Sequence, residues 1–103
     1  MSILLEFSMF PTDKGKSVSN EVSQVISMIR GSGIPYKLTP MGTVIETETM
    51  EAALNIVQKA YDLLAADSER IYSSINIDIR KSKSNRLTGK ISSVEDKIGK
   101  VNK

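Results

Sequence analysis

Three carboxylates, Glu6, Glu46 and Asp78, stand at positions where strand alternation would send them to one face of a sheet. Such a set is the raw material for paired acid–base chemistry or for a hard-metal site built from oxygen ligands. The same residues are equally what a solvated strand face carries, and a binding role suits them better than catalysis. Histidine and cysteine are both absent from the 103 residues. That removes serine–histidine and cysteine–histidine catalysis, thiolate nucleophiles, disulfides and cysteine-held zinc or iron–sulfur centres. Gly15-Lys16-Ser17 resembles the end of a nucleotide phosphate loop, but the first glycine of that motif would fall at Phe10, so the backbone cradle is not encoded. Tyr72 with Lys37 and Arg80 could suggest a base-stacking sheet. The first strand, however, offers Glu6 and Ser8 where aromatics are needed, and acids repel phosphates. The chain therefore reads as a binding protein and not as an enzyme, with no cofactor and no metal.

The elements that must position these residues follow from periodicity. Ile3, Leu5, Phe7 and Met9 alternate with Leu4, Glu6 and Ser8, which predicts a half-buried strand. After a turn-rich stretch, Val18, Val22, Val25, Ile26 and Ile29 recur at helical spacing until Gly31 and Gly33. Residues 34–39 and 43–47 read as two strands joined at Pro40 and Gly42. Met50, Ala53, Leu54, Val57, Tyr61 and Leu64 mark a second helix that Thr49 can cap, ending near Ala66. From Arg70 to Arg80 the alternation is plainest, with Ile71, Ser73, Ile75, Ile77 and Ile79 on one side. Past the polar loop 81–85, Ser92 and Glu95 have the spacing of a capping box for a last helix with a narrow stripe of Val94, Ile98 and Val101.

The order strand, helix, strand, strand, helix, strand predicts one α+β domain over residues 1–103, a ferredoxin-like βαββαβ fold with an extra C-terminal helix. Both main helices should lie on one face of an antiparallel sheet. The other face is expected to be uncovered and to carry Glu6, Ser8, Lys37, Thr39, Glu46, Tyr72, Ser74, Asn76, Asp78 and Arg80. An open face and an unpartnered helix stripe together predict a homo-oligomer. The composition, 40% hydrophobic and 25% charged, is that of a globular domain. Its net charge of +2 is modest, and most of the Lys and Arg lie in the C-terminal third. The N-terminus has no basic stretch and too short an apolar run for a signal peptide or a span, so a cytoplasmic location without membrane or nucleic-acid partners is expected.

The most distinctive stretch is Tyr36-Lys37-Leu38-Thr39-Pro40-Met41-Gly42-Thr43-Val44-Ile45-Glu46. Its Pro-Met-Gly-Thr-x-x-Glu run after a Tyr-x-Leu strand resembles the small thiamine-binding protein family related to YkoF. The likeness continues through Arg70, the strand end Ile77-Asp78-Ile79-Arg80 and the helix Val94-Glu95-Asp96-Lys97-Ile98. The resemblance implies a homotetramer assembled through its sheets, with thiamine or a hydroxymethylpyrimidine bound between subunits. Thiamine pairs a cationic thiazolium with a flat aminopyrimidine, and its site wants a carboxylate, an apolar wall and a few hydroxyls. On that reading Glu46 supplies charge, Thr43 and Ser8 supply hydroxyls, Gly42 permits close backbone approach, and Met41, Phe10 and Tyr36 form the wall. Asp78 and Arg80 are expected either at the ligand or in an ion pair at the subunit boundary. The alternative is a structural or regulatory oligomerisation module with no vitamin ligand.

Overall fold

The computed structural model describes residues 1–15, 18–82 and 84–103. Lys16 and Ser17, within the Gly15-Lys16-Ser17 stretch, and Lys83, in the polar loop, lie outside the described residues. The elements run β1 (Ser2–Pro11), α1 (Ser19–Ser32), β2 (Tyr36–Thr39), β3 (Gly42–Thr47), α2 (Met50–Ala65), β4 (Ile71–Arg80) and α3 (Arg86–Ile98). The four strands form one antiparallel sheet in the order β2-β3-β1-β4. This is the expected α+β, ferredoxin-like arrangement, with α3 added.

β1 is central because its inward residues are the most apolar in the chain: Ile3, Leu5 and Phe7 are buried against Ile45 of β3, Val25 and Ile29 of α1, and Ala53, Ile56, Ala60 and Leu64 of α2. Alanines at 53 and 60 let α2 lie close to the sheet. Burying side chains of this size stabilises by roughly 1.5–3 kcal/mol each for the larger ones. Thr49 caps α2, its hydroxyl accepting from the Ala52 amide at 3.1 Å. Gly33 closes α1 at φ 77°, a left-handed conformation that glycine adopts without penalty. The buried face of α2 runs through Ile56 and Ala60, so Leu54 and Tyr61, read as part of its inward stripe, are instead about half exposed.

Two expectations about coverage are corrected. The second sheet face is only partly open: Glu6 and the β4 residues Tyr72, Ser74, Asn76, Asp78 and Arg80 stay exposed as expected, while α3 packs across it over β1 and β3. Its contacts come from the half-buried Leu87 and Ile91, while Val94 and Ile98 of the expected stripe are exposed. Conversely, α1 and α2 sit over β1, β2 and β3 and leave the helix-side face of β4 bare. Ile75, Ile77 and Ile79 pair across the sheet with Phe7, Leu5 and Ile3, yet remain 42%, 39% and 47% exposed. Two helices side by side span about 20 Å, and four strands about 19 Å between the edges they would have to cover, so an offset of one strand leaves one edge uncovered.

The capping box is also corrected. α3 begins at Arg86, with Asn85 in a left-handed conformation just before it and no side-chain cap from that residue. Ser92 and Glu95 are therefore interior to the helix. The Glu95 carboxylate turns to the chain that follows, accepting from the Val101 amide at 3.1 Å and the Lys103 ammonium at 3.0 Å. Those bonds, with Lys103 foremost, hold its pKa below the ordinary carboxylate value.

Candidate ligand-binding site

The β1–β3 ladder runs from Ile3↔Thr47 to Phe7↔Thr43, whereas the β1–β4 ladder continues to Pro11↔Ile71. Beyond Phe7, β1 has lost its neighbour on one side. The gap is filled by the β2–β3 turn and by the first turns of α1, and between them lies a cleft of about 390 Å³. That volume suits a small heterocyclic ligand. Ser8, Phe10, Met41, Gly42 and Thr43, all expected at a site, line it together with Val18, just before α1, and the apolar α1 residues Val22, Val25 and Ile26.

The turn is fixed from within. The Thr39 hydroxyl accepts from the amides of Met41 and Gly42 at 3.2 and 3.1 Å and donates to the Gly42 carbonyl at 2.9 Å. Met41 stands at its tip, 84% exposed. A Cβ at Gly42 would lie 2.9 Å from the Phe7 carbonyl oxygen, so glycine is what lets the turn close onto β1. Phe10 meets Tyr72 across the β1–β4 ladder, with ring centroids 5.9 Å apart and planes tilted by 46°. The aromatic wall thus extends from the cleft towards the β4 edge.

Two residues expected with this group lie elsewhere. Tyr36 pairs with Ile45 on the helix side of the sheet, and its hydroxyl accepts from Arg30 Nε at 3.3 Å. Glu46 is on the second face, as alternation places it, opposite Leu4, but it does not line the cleft. Its Oε2 accepts from the Ser2 hydroxyl at 2.6 Å and the Arg86 amide at 2.9 Å, and its Oε1 accepts from the Leu87 amide at 3.1 Å. Those amides open α3. Glu46 is therefore the N-terminal cap of a helix forty residues further along the chain. Burial pushes its carboxyl up, but the bonds from Ser2, Arg86 and Leu87 and the Arg86 charge outweigh it and hold the group below its ordinary value.

Arg86 completes the fastening. Its Nε donates to the Ser2 hydroxyl at 3.0 Å, one terminal nitrogen donates to the Ser2 carbonyl at 2.9 Å and the Asp78 carbonyl at 2.6 Å, and the other pairs with the Asp78 carboxylate at 2.8 Å. Asp78 thus pairs with Arg86 and not with Arg80. Sequence periodicity points to neither Ser2 nor Arg86 as a partner of Glu46, since the bonds joining the three residues span 40 or more positions. These bonds also explain why the three carboxylates do not form an acid–base pair: Leu4 separates Glu46 from Asp78 across the strands, and each is bound to Arg86. Among the described residues no group of three or more acidic side chains is placed to hold a metal ion, and no helix is long and apolar enough to cross a membrane.

Comparison with known proteins agrees with this architecture. The chain is 35% identical over 95 residues to the UPF0045 protein Mb1933 of Mycobacterium bovis, covering 92% of this chain and 93% of that one. The crystal structure of protein MJ1052 from Methanocaldococcus jannaschii superimposes with a TM-score of 0.81 at 29% identity, over 92% of this chain and 97% of the other. A Bacillus cereus domain of the DUF77 group superimposes with a TM-score of 0.78 at 26% identity, over 93% and 92% of the two chains. The family model described as thiamine-binding protein matches residues 5–95, a span that includes the cleft, the turn and most of α3. On these grounds the chain belongs to the thiamine-binding protein family.

Proposed function

We propose that the protein binds thiamine or a thiamine-related pyrimidine, without catalysis, in the cleft at the end of β1, and that a homo-oligomer completes the site. The observation carrying this reading is the convergence of Ser8, Phe10, Met41, Gly42 and Thr43 on one cleft of ligand size, in a chain whose family is named for thiamine binding. An apolar floor from α1, the Phe10 ring and the hydroxyls of Ser8 and Thr43 suit a flat heterocycle with donors and acceptors.

Among the described residues the cleft has no carboxylate in its lining, so a second copy is the natural source of counter-charge for a cationic thiazolium. β4 is an edge strand of 10 residues with three exposed isoleucines, a surface that a second copy would cover. Antiparallel pairing of two β4 strands centred on Ile75 would set Asp78 of one copy opposite Tyr72 of the other, with Arg80 two residues beyond, on the face that bears Phe10. In this reading Asp78 serves the ligand across the interface while its other face holds Arg86. The exposed isoleucine row also favours a second reading, an oligomerisation module with no vitamin ligand.

Native mass spectrometry of the purified protein separates the two. Multiples of 11.3 kDa that carry added thiamine or its hydroxymethylpyrimidine support the first. An oligomer that takes up neither supports the second, and a monomer that takes up neither removes both.

A further inference from the structure

A second cavity, of about 500 Å³, lies on the opposite end of the sheet from the cleft, between the end of β4 and α3. It exists because the α3 face turned to β4, residues 86, 89, 90 and 93 at helical spacing, carries Gly89 and Ser93 where larger side chains would fill the space. A Cβ at Gly89 would meet nothing within 4 Å. The remaining wall is Leu4, Asp78, Arg80, Ser84 and Asn85, the last held at φ 55°.

The charges in this wall are unbalanced. Asp78 is paired with Arg86, whose guanidinium is fully engaged with Asp78 and Ser2. That leaves Arg80 and Lys90, exposed cations on opposite sides of the cavity, with neither an ion pair nor a hydrogen bond among the described residues. Hydroxyls of Ser84 and Ser93 and the Asn85 amide add neutral donors. Two uncommitted cations, one a planar fork and one a point charge, with hydroxyl donors between them, match a tetrahedral dianion better than a single carboxylate.

We propose that the cavity between the end of β4 and α3 binds a phosphate group, free or esterified, through Arg80 and Lys90. Within one subunit the cavity shares no lining residue with the cleft at the other end of β1, and its test does not involve thiamine.

The full chain, labelled for amide NMR, is titrated at low ionic strength with orthophosphate and with methyl phosphate. Saturable shifts confined to Ser84, Asn85, Gly89, Lys90 and Ser93 are expected. The double variant Arg80→Gln/Lys90→Gln should weaken binding at least tenfold while leaving the rest of the spectrum unchanged. Tighter binding of methyl phosphate would identify an ester as the natural ligand, and tighter binding of orthophosphate the free ion; each supports the site. The control Lys59→Gln/Lys100→Gln removes the same charge elsewhere and should bind as the parent does. Non-saturating shifts spread over all basic residues, or equal weakening by the control, would overturn the proposal.

Discussion

Replacing Glu46 by glutamine should undock α3 and leave the sheet intact. The glutamate gives two oxygens to three donors, the Ser2 hydroxyl and the amides of Arg86 and Leu87. Glutamine keeps one oxygen and turns an NH2 towards donors, so at least one of the three is stranded and the charge opposite the helix N-terminus is lost. A helix cap contributes about 0.5–2 kcal/mol, and a hydrogen bond to a charged group about 1.5–3 kcal/mol. Glu46 is only half-buried and water can replace part of what is lost, so a combined cost of about 1–3 kcal/mol is expected. α3 contains no fully buried residue, and the cost therefore falls on its docking rather than on the core. Amide hydrogen exchange reads this directly: protection across α3 should fall by roughly 5- to 150-fold, the equivalent of that free energy, while Leu5, Ile45 and Ile56 exchange as in the parent. Unchanged α3 protection would refute the capping role. A variant with unchanged α3 but lost thiamine binding would instead return Glu46 to the ligand.

The same carboxylate makes α3 acid-sensitive. A group whose folded pKa is depressed stabilises above its unfolded value, about 4.3 for glutamate, and the contribution disappears as pH falls through the lower folded value. α3 protection should thus be flat between neutral pH and about 5 and decline below about 4; a decline centred near pH 6 would contradict the assignment. Gly42→Ala drives a Cβ to 2.9 Å from the Phe7 carbonyl and should lower stability by about 1–3 kcal/mol, seen as a shifted urea midpoint with the same slope. Ile77→Lys, on the bare face of β4, should shift the oligomer towards monomer in light scattering with little loss of subunit stability, whereas an unchanged mass would remove β4 from the interface. Truncation after Asn85 should weaken assembly more than it disturbs the sheet, as the four strands are complete by Arg80; a chain that no longer folds would make α3 part of the core.

Strand alternation alone places Glu46, Asp78 and Tyr72 on one face, because a side-chain period of two has no other outcome once the register is set. The Pro-Met-Gly-Thr turn is equally legible, since glycine and proline restrict the backbone locally. What periodicity cannot carry is which strand the helices leave uncovered. The Ile75, Ile77 and Ile79 row looks like core in the sequence and is surface in the subunit. Nor does it carry long-range caps: Ser92 and Glu95 have the local spacing of a capping box, but Glu46 reaches the true start of α3 from another strand. Tyr36 neighbours the cleft-lining turn in sequence, yet the two-residue period puts it on the helix side with Arg30.

Isothermal calorimetry of the parent and of Val22→Phe, with thiamine and with its hydroxymethylpyrimidine, addresses the cleft most directly. Val22 lies in the α1 wall of the cleft and is itself outside the buried core, so a larger ring there occupies ligand space. Saturable heat with at least one of the two ligands is expected for the parent, weakened at least tenfold in the variant while its melting temperature stays close to the parent's. No heat with either ligand, or equal affinity in the two proteins, would contradict binding in the cleft.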